Sequence, residues 1–127
     1  MNVALDLATY IAQKFAELVL GTNLFVGFEP AYPDNCVTVY PIMSDVNEYT
    51  LDGTVFMKNR IQIRVRNIVH SNGLQLINDI ADNVSMVGPI IINGTKYQLI
   101  QRIGNVYNIG VDEKMRTVFI VNCDMVI

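Results

Sequence analysis

The residues best suited to charge-based recognition stand in one short run, Lys58–Asn67, in which polar and apolar side chains alternate. On a β-strand successive side chains take opposite faces, so one face of this run carries Arg60, Gln62, Arg64 and Arg66. Guanidiniums two residues apart repel one another, and carboxylates from neighbouring strands or from another subunit would relieve that repulsion. The pattern therefore predicts either ion pairs within the chain or a surface that faces a partner.

Residues that could carry out catalysis do not form a recognisable set. His70 is the only histidine, and Cys36 and Cys123 lie inside apparent strands, where small buried thiols in a reducing compartment are expected. The pair Asp112–Glu113 is typical of a solvated turn. The sequence contains no zinc-ligand spacing, phosphate-binding loop, dinucleotide fingerprint or nucleophile elbow. We therefore expect no enzymatic activity, no metal and no cofactor.

The composition predicts that much of the surface is used for contacts with other proteins. Hydrophobic residues make up 51% of the 127 residues, charged residues 17%, and the mean hydropathy is +0.31. No apolar run reaches the ~18 residues that cross a bilayer, and Asp6 interrupts the apolar N-terminal stretch, which therefore does not resemble a secretory signal. We expect a single domain, residues 1–127, whose surplus apolar surface lies in subunit interfaces and not in a membrane.

The net charge of −3 argues against a dedicated nucleic-acid-binding protein, which would usually be basic. A weakly acidic protein can still let DNA pass without holding it.

Apolar residues recur at helical spacing in two segments. The first predicts a helix over Val3–Leu20, with Asn2 as its N-cap and Gly21 as its C-terminal glycine. The second predicts a helix that Ser71 or Asn72 caps and that runs to about Val84, with an inner face made of Leu74, Ile77, Ile80, Ala81 and Val84.

Strand patterns surround these two helices. A strand is predicted over Cys36–Pro41, ended by its proline, and Asn93-Gly94 predicts a hairpin between Ile90–Ile92 and Tyr97–Arg102. Residues 103–109 continue or bend that strand, and the final strand, Arg116–Met125, is apolar on both faces, as a central strand would be. The order of elements predicts an α+β fold, with two helices packed on a mainly antiparallel or mixed sheet.

The segment Ser44–Phe56 lacks a sustained period and is predicted to be a long loop. Its acidic, aromatic and apolar residues suit a segment that becomes ordered on a partner, although a flexible hairpin tip would explain it equally well. On the first interpretation its contact residues are Asp45, Glu48, Tyr49, Leu51, Asp52 and Phe56.

A succession of short motifs along nearly the whole chain resembles the tail terminator and minor capsid proteins of long-tailed bacteriophages. The most specific of them is the Gln-Ile-Arg-Val-Arg strand, between the acidic segment and the second helix. The motifs are Gly27–Pro30, Pro33–Tyr40, Ile61–Arg66, Ile92–Gly94 with Tyr97, Gly110–Arg116, and Val121–Asn122.

This resemblance implies a structural protein of the virion neck, at the top of the tail, that is assembled in the host cytoplasm. Such proteins form a six-fold ring on the head-proximal end of the tail tube, stop its polymerisation and present a surface for the filled head. The implied partners are further copies of the chain, the major tail tube protein and a head-completion or connector protein. DNA would pass through the ring without specific binding.

Three alternatives remain open at this point. The chain could be a different neck component, such as a head-closure or head–tail connector protein. It could be an α+β domain that binds a small molecule or peptide in a pocket lined by its methionines and tyrosines. It could also be a nucleic-acid-binding module built on the arginine strand, in which case its binding would depend on salt.

Overall fold

The computed structural model describes residues 2–49 and 55–127. Two helices and six strands follow one another in that part of the chain. They are α1 (Val3–Lys14), β1 (Leu24–Val26), β2 (Cys36–Tyr49), β3 (Val55–Asn67), α2 (His70–Asn83), β4 (Met86–Ile92), β5 (Thr95–Val111) and β6 (Thr117–Val126).

The six strands form one sheet in the order β1-β2-β3-β6-β5-β4. The short β1 runs parallel to β2, whereas every other pair of neighbours is antiparallel. The predicted α+β fold with a mainly antiparallel, mixed sheet is therefore confirmed. The final strand, β6, lies between β3 and β5, as its apolar character on both faces indicated.

Both helices pack on the same face of the sheet and enclose the core. The alternation in β3 places Ile61, Ile63 and Val65 in that core, as predicted, and their exposed fractions are at most 1%. The core is completed by apolar side chains of both helices and of β1, β2, β5 and β6, among which the largest are Leu7, Ile11, Leu24, Ile77, Ile80, Tyr97, Ile100, Phe119 and Met125. Since the helices occupy one face only, the opposite face of the sheet is left for polar and partly exposed side chains.

The first helix begins where the sequence predicts and ends earlier. The Asn2 side chain accepts a hydrogen bond from the backbone N–H of Leu5 at 3.0 Å, which confirms the predicted N-cap. The prediction that the helix continues to Leu20 was wrong, because Phe15 takes an extended conformation after Lys14. Gly21 instead occupies the following turn with φ of +86°.

The second helix is not capped by Ser71 or Asn72, which both lie inside it. Its entry is fixed by two asparagine side chains outside the helix. Asn35 Oδ1 accepts from the N–H of Ile68, and Asn67 Oδ1 accepts from the N–H of Val69, both at 2.9 Å. A contact 33 residues away in sequence thus replaces the local cap that the sequence predicted.

The predicted long loop over Ser44–Phe56 is mostly strand. Residues 44–49 of β2 pair with 55–59 of β3 in an antiparallel ribbon, and residues 50–54 lie outside the described part of the chain. Pro41 does not end its strand as predicted, because β2 continues beyond it through register shifts between Pro41 and Met43 and between Ser44 and Val46. The irregular spacing of these residues reflects bulges in a ribbon and not a loop.

The predicted hairpin at Asn93-Gly94 is confirmed. Both residues have positive φ, +49° and +81°, as a tight turn between twisted strands requires. Residues 103–109 continue the second strand of this hairpin, so that β5 reaches Val111.

Candidate functional site

The candidate site is the row of polar side chains on β3, on the sheet face opposite the helices. We call Arg60, Gln62, Arg64 and Arg66 the arginine row. Their neighbours in register are Tyr40, Thr38 and Cys36 on β2, and Asp124, Asn122, Ile120 and Val118 on β6.

Arg60 forms a two-point contact with a carboxylate of the neighbouring strand. Its Nε and Nη2 donate to the two oxygens of Asp124 at 2.9 and 3.2 Å. This hydrogen bond raises the pKa of Arg60 further above its ordinary value. One end of the arginine row is therefore neutralised within the chain.

At the other end of the row, Arg64 and Arg66 contact the segment between β1 and β2. We call Gly27–Asn35 the cover loop. Glu29 of this loop accepts from Arg64 Nε at 2.8 Å and lies 3.4 Å from Arg66 Nη1. Arg66 also donates to the carbonyl oxygens of Pro33 and Asp34, at 2.6 and 3.2 Å. Arg66 therefore links the sheet to the cover loop.

A second buried arginine, Arg116, fastens the same loop from the β5–β6 turn. Its Nη1 donates to the carbonyl oxygen of Ala31 at 2.6 Å and lies 3.3 Å from Asp34 Oδ1. Its Nε donates to Asp112 Oδ2 at 2.8 Å. The Arg116 backbone N–H also donates to Asp112, and this bond lowers the pKa of the Asp112 carboxyl below its usual value.

The aromatic ring of Tyr32 is tied to the same turn. Lys114 Nζ lies 3.0 Å from the Tyr32 hydroxyl oxygen and 4.1 Å from the ring centroid. This contact lowers the pKa of the Tyr32 hydroxyl. The interpretation of Asp112–Glu113 as part of a solvated turn missed the role of this turn in anchoring the cover loop, since the partners of Lys114 and Arg116 lie about 80 residues away in the chain.

The four residues of the arginine row lie on one face of β3, but their side chains differ in exposure. Arg66 is only 2% exposed, and its guanidinium contacts the cover loop of the same chain. Gln62, Arg60 and Arg64 remain partly exposed. Of the predicted loop contacts, Leu51 and Asp52 lie outside the described residues, and the ribbon strands carry Asp45, Glu48, Tyr49 and Phe56.

A second polar cluster, which the sequence reading missed, ties α1 to the hairpin. The buried carboxylate of Asp6 accepts from the Tyr97 hydroxyl and, at 2.9 Å, from Asn93 Nδ2. Burial and the Asp6 carboxylate raise the pKa of Tyr97. Each of these polar atoms has a partner within the chain, so the cluster is a structural tie between two elements.

The residues considered for catalysis occupy unrelated places. The His70 ring packs edge-on against Phe119, with 5.2 Å between centroids. Cys36 and Cys123 are buried free thiols, as the sequence reading expected, and burial raises the pKa of Cys123 to about 12. Among the described side chains, no three histidine, cysteine, aspartate or glutamate residues converge in a way that could hold a metal ion. None of the described helices has the length and apolar character to span a bilayer.

Comparison with models of known protein families gives a match over most of the chain. The family model described as "Bacteriophage tail terminator protein" matches residues 11–127, which include all of the arginine row, the cover loop and the six strands. No curated protein matches the sequence. Because the family model covers nearly the whole chain, the resemblance seen in the motifs is confirmed, and this chain belongs to the bacteriophage tail terminator protein family.

Proposed function

We propose that this protein caps the head-proximal end of the phage tail tube as a six-subunit ring, stops polymerisation of the tube, and presents the surface to which the filled head is joined. The observation that carries the proposal is the family match over residues 11–127. Membership in this family indicates a structural role in the virion.

The physical character of the described surface supports an assembly protein. Exposed apolar side chains are spread over β4, β5, the α1–β1 turn, the cover loop and the turn before α2; they include Leu20, Phe28, Tyr32, Ile68, Val87, Ile91 and Tyr107. A protein that buries such side chains against several partners gains stability from each contact.

In this proposal the exposed part of the arginine row faces a partner in the neck. Arg60, Gln62 and Arg64 remain partly exposed beside the β2–β3 ribbon, whose end carries the predicted contacts between Asp45 and Phe56. Arg64 already pairs with Glu29, so a partner carboxylate would share a guanidinium that the cover loop holds in a fixed position. Pre-positioning of this kind reduces the entropy lost on docking.

The test is to add the purified protein to polymerising tail tube protein and, separately, to tailless heads. We expect bound protein at one end of each tube in negative-stain electron microscopy, together with an arrest of tube elongation. Binding to tailless heads without binding to tubes would contradict the proposal and would favour a head-closure or connector protein.

The contribution of the arginine row is tested with two matched variants. Arg64 and Arg102 have side chains 29% and 30% exposed, and each pairs with one carboxylate, Glu29 or Asp82. We expect Arg64→Ala to weaken tube-end binding at least fivefold and Arg102→Ala to leave it nearly unchanged. Equal binding by both variants would remove the arginine row from the proposed interface.

A further inference from the structure

The centre of the arginine row carries hydrogen-bond donors that the chain itself does not use. Gln62 lies between Arg60 and Arg64 on the same face of β3 and is partly exposed. Its side-chain amide makes no hydrogen bond within residues 2–49 and 55–127. Arg64 donates through Nε to Glu29 Oε2 at 2.8 Å, and neither of its Nη nitrogens has an acceptor in those ranges. We call the Gln62 amide and these two Nη nitrogens the donor patch.

A hydrogen-bond acceptor beside the donor patch also lacks a partner. Asn122 of β6 lies directly opposite Gln62, and its Oδ1 atom is buried with no hydrogen bond to any described residue. Buried polar atoms are normally paired, so the hydrogen-bonding capacity around Gln62 exceeds what the fold uses. Extended backbone places Gln62 and Arg64 about 7 Å apart along β3, so one group between them can meet both side chains.

The charges around the donor patch are unequal. Asp124 pairs with Arg60 alone, whereas Arg64 and Arg66 share the single carboxylate of Glu29, at 2.8 and 3.4 Å. The three guanidiniums of the row are therefore paired with two carboxylates. One positive charge of the row has no carboxylate of its own, and it lies next to Gln62.

This arrangement favours a carboxylate over the phosphates of a nucleic acid. A guanidinium with open Nη nitrogens can bind a carboxylate through two N–H groups, and the Gln62 amide supplies a further donor. One carboxylate would balance the remaining charge of the row. Nucleic acid brings many closely spaced charges, and the carboxylates of Glu29 and Asp124 would repel the phosphates next to the bound one.

We infer that the donor patch binds an aspartate or glutamate side chain of the protein that forms the end of the tail tube. The Arg64 side chain is 29% exposed, so such a carboxylate can reach it. Glu29 holds the Nε side of Arg64 and leaves the Nη nitrogens for the incoming group. The inference rests on the proposed function and identifies the chemical group of the tube that this face recognises, with Gln62 as the residue that sets the preferred charge.

The test changes the charge at position 62 and measures binding to the ends of nuclease-treated tail tubes. We expect Gln62→Glu to weaken this binding at least tenfold, because the new carboxylate pairs with Arg64 and repels the incoming one. Gln62→Lys should bind at least as tightly as the wild-type protein. Gln98, an exposed glutamine of β5, is the matched control, and Gln98→Glu and Gln98→Lys should differ from each other less than twofold.

Asn122→Asp is a second variant, which places a carboxylate opposite Gln62 with almost no change in side-chain size. It should also weaken tube-end binding, and urea unfolding of each variant separates a lost contact from a lost fold. The inference would be overturned if Gln62→Lys bound less tightly than Gln62→Glu, if positions 62 and 98 responded equally, or if Asn122→Asp bound like the wild-type protein. Loss of wild-type binding after nuclease treatment of the tubes would also overturn it and would indicate a nucleic-acid bridge. Failure of the wild-type protein to bind untreated tube ends would instead contradict the proposed function.

Discussion

Gly73 lies where α2 packs closely against the sheet. It lies in the first turn of α2 and is buried, whereas its neighbour Leu74, which the sequence reading placed on the inner face, is 38% exposed. A Cβ atom at position 73 would come within 2.9 Å of Asn67 Cβ and 3.0 Å of Phe119 Cε2. The helix therefore approaches β3 and β6 at a position that only glycine fits comfortably.

We expect Gly73→Ala to lower the free energy of unfolding by roughly 1–3 kcal/mol, because overpacking against the Phe119 ring outweighs the gain in helix propensity of about 1 kcal/mol. The measurement is urea denaturation followed by circular dichroism. Asn78→Ala, on the exposed side of the same helix, is the control and should be neutral or slightly stabilising. An equal or higher stability for Gly73→Ala would show that the helix can move away from the ring.

The cover loop is held in place by residues that are distant from it in the chain. The sequence predicted the strand of alternating arginines and its buried apolar face, because a period of two is a local property. It could not identify Glu29, Pro33 and Asp34 as partners, since they lie more than 30 residues from the arginines they meet. The predicted extension of α1 failed because the apolar spacing continued where the helical structure did not. Leu18 is buried although the chain has already left the helix.

We expect Arg66→Ala to destabilise the protein by roughly 2–5 kcal/mol, because two loop carbonyl oxygens and Oε1 of Glu29 lose their buried partner. Arg102→Ala should cost about 1 kcal/mol or less, since its ion pair with Asp82 is largely solvated. Thermal or urea unfolding gives the free energies, and limited proteolysis should show faster cleavage within Gly27–Asn35 for Arg66→Ala only. Similar losses for the two variants would mean that the cover loop is not held by Arg66.

The whole molecule combines exposed apolar side chains with arginines that pair with carboxylates of the same chain. Nine lysines and arginines face twelve aspartates and glutamates, which gives a net charge of −3. Five arginines have a carboxylate of the same chain within 4 Å; they are Arg60, Arg64, Arg66, Arg102 and Arg116. From the sequence alone, the arginine row resembles a phosphate-binding strip. In the fold, carboxylates of the same chain compensate its positive charge.

We accordingly expect duplex DNA to bind weakly, with a Kd above about 100 µM at 150 mM salt, because phosphate binding requires cations whose charge is not already compensated. Fluorescence anisotropy with a labelled duplex, repeated at 50 and 200 mM salt, checks this. Saturable binding in the low micromolar range that falls steeply with salt would revive the nucleic-acid-binding alternative. Weak binding would fit the proposed position at the end of a tube through which DNA moves, since a molecule that held the phosphates tightly would slow the passage of every base pair.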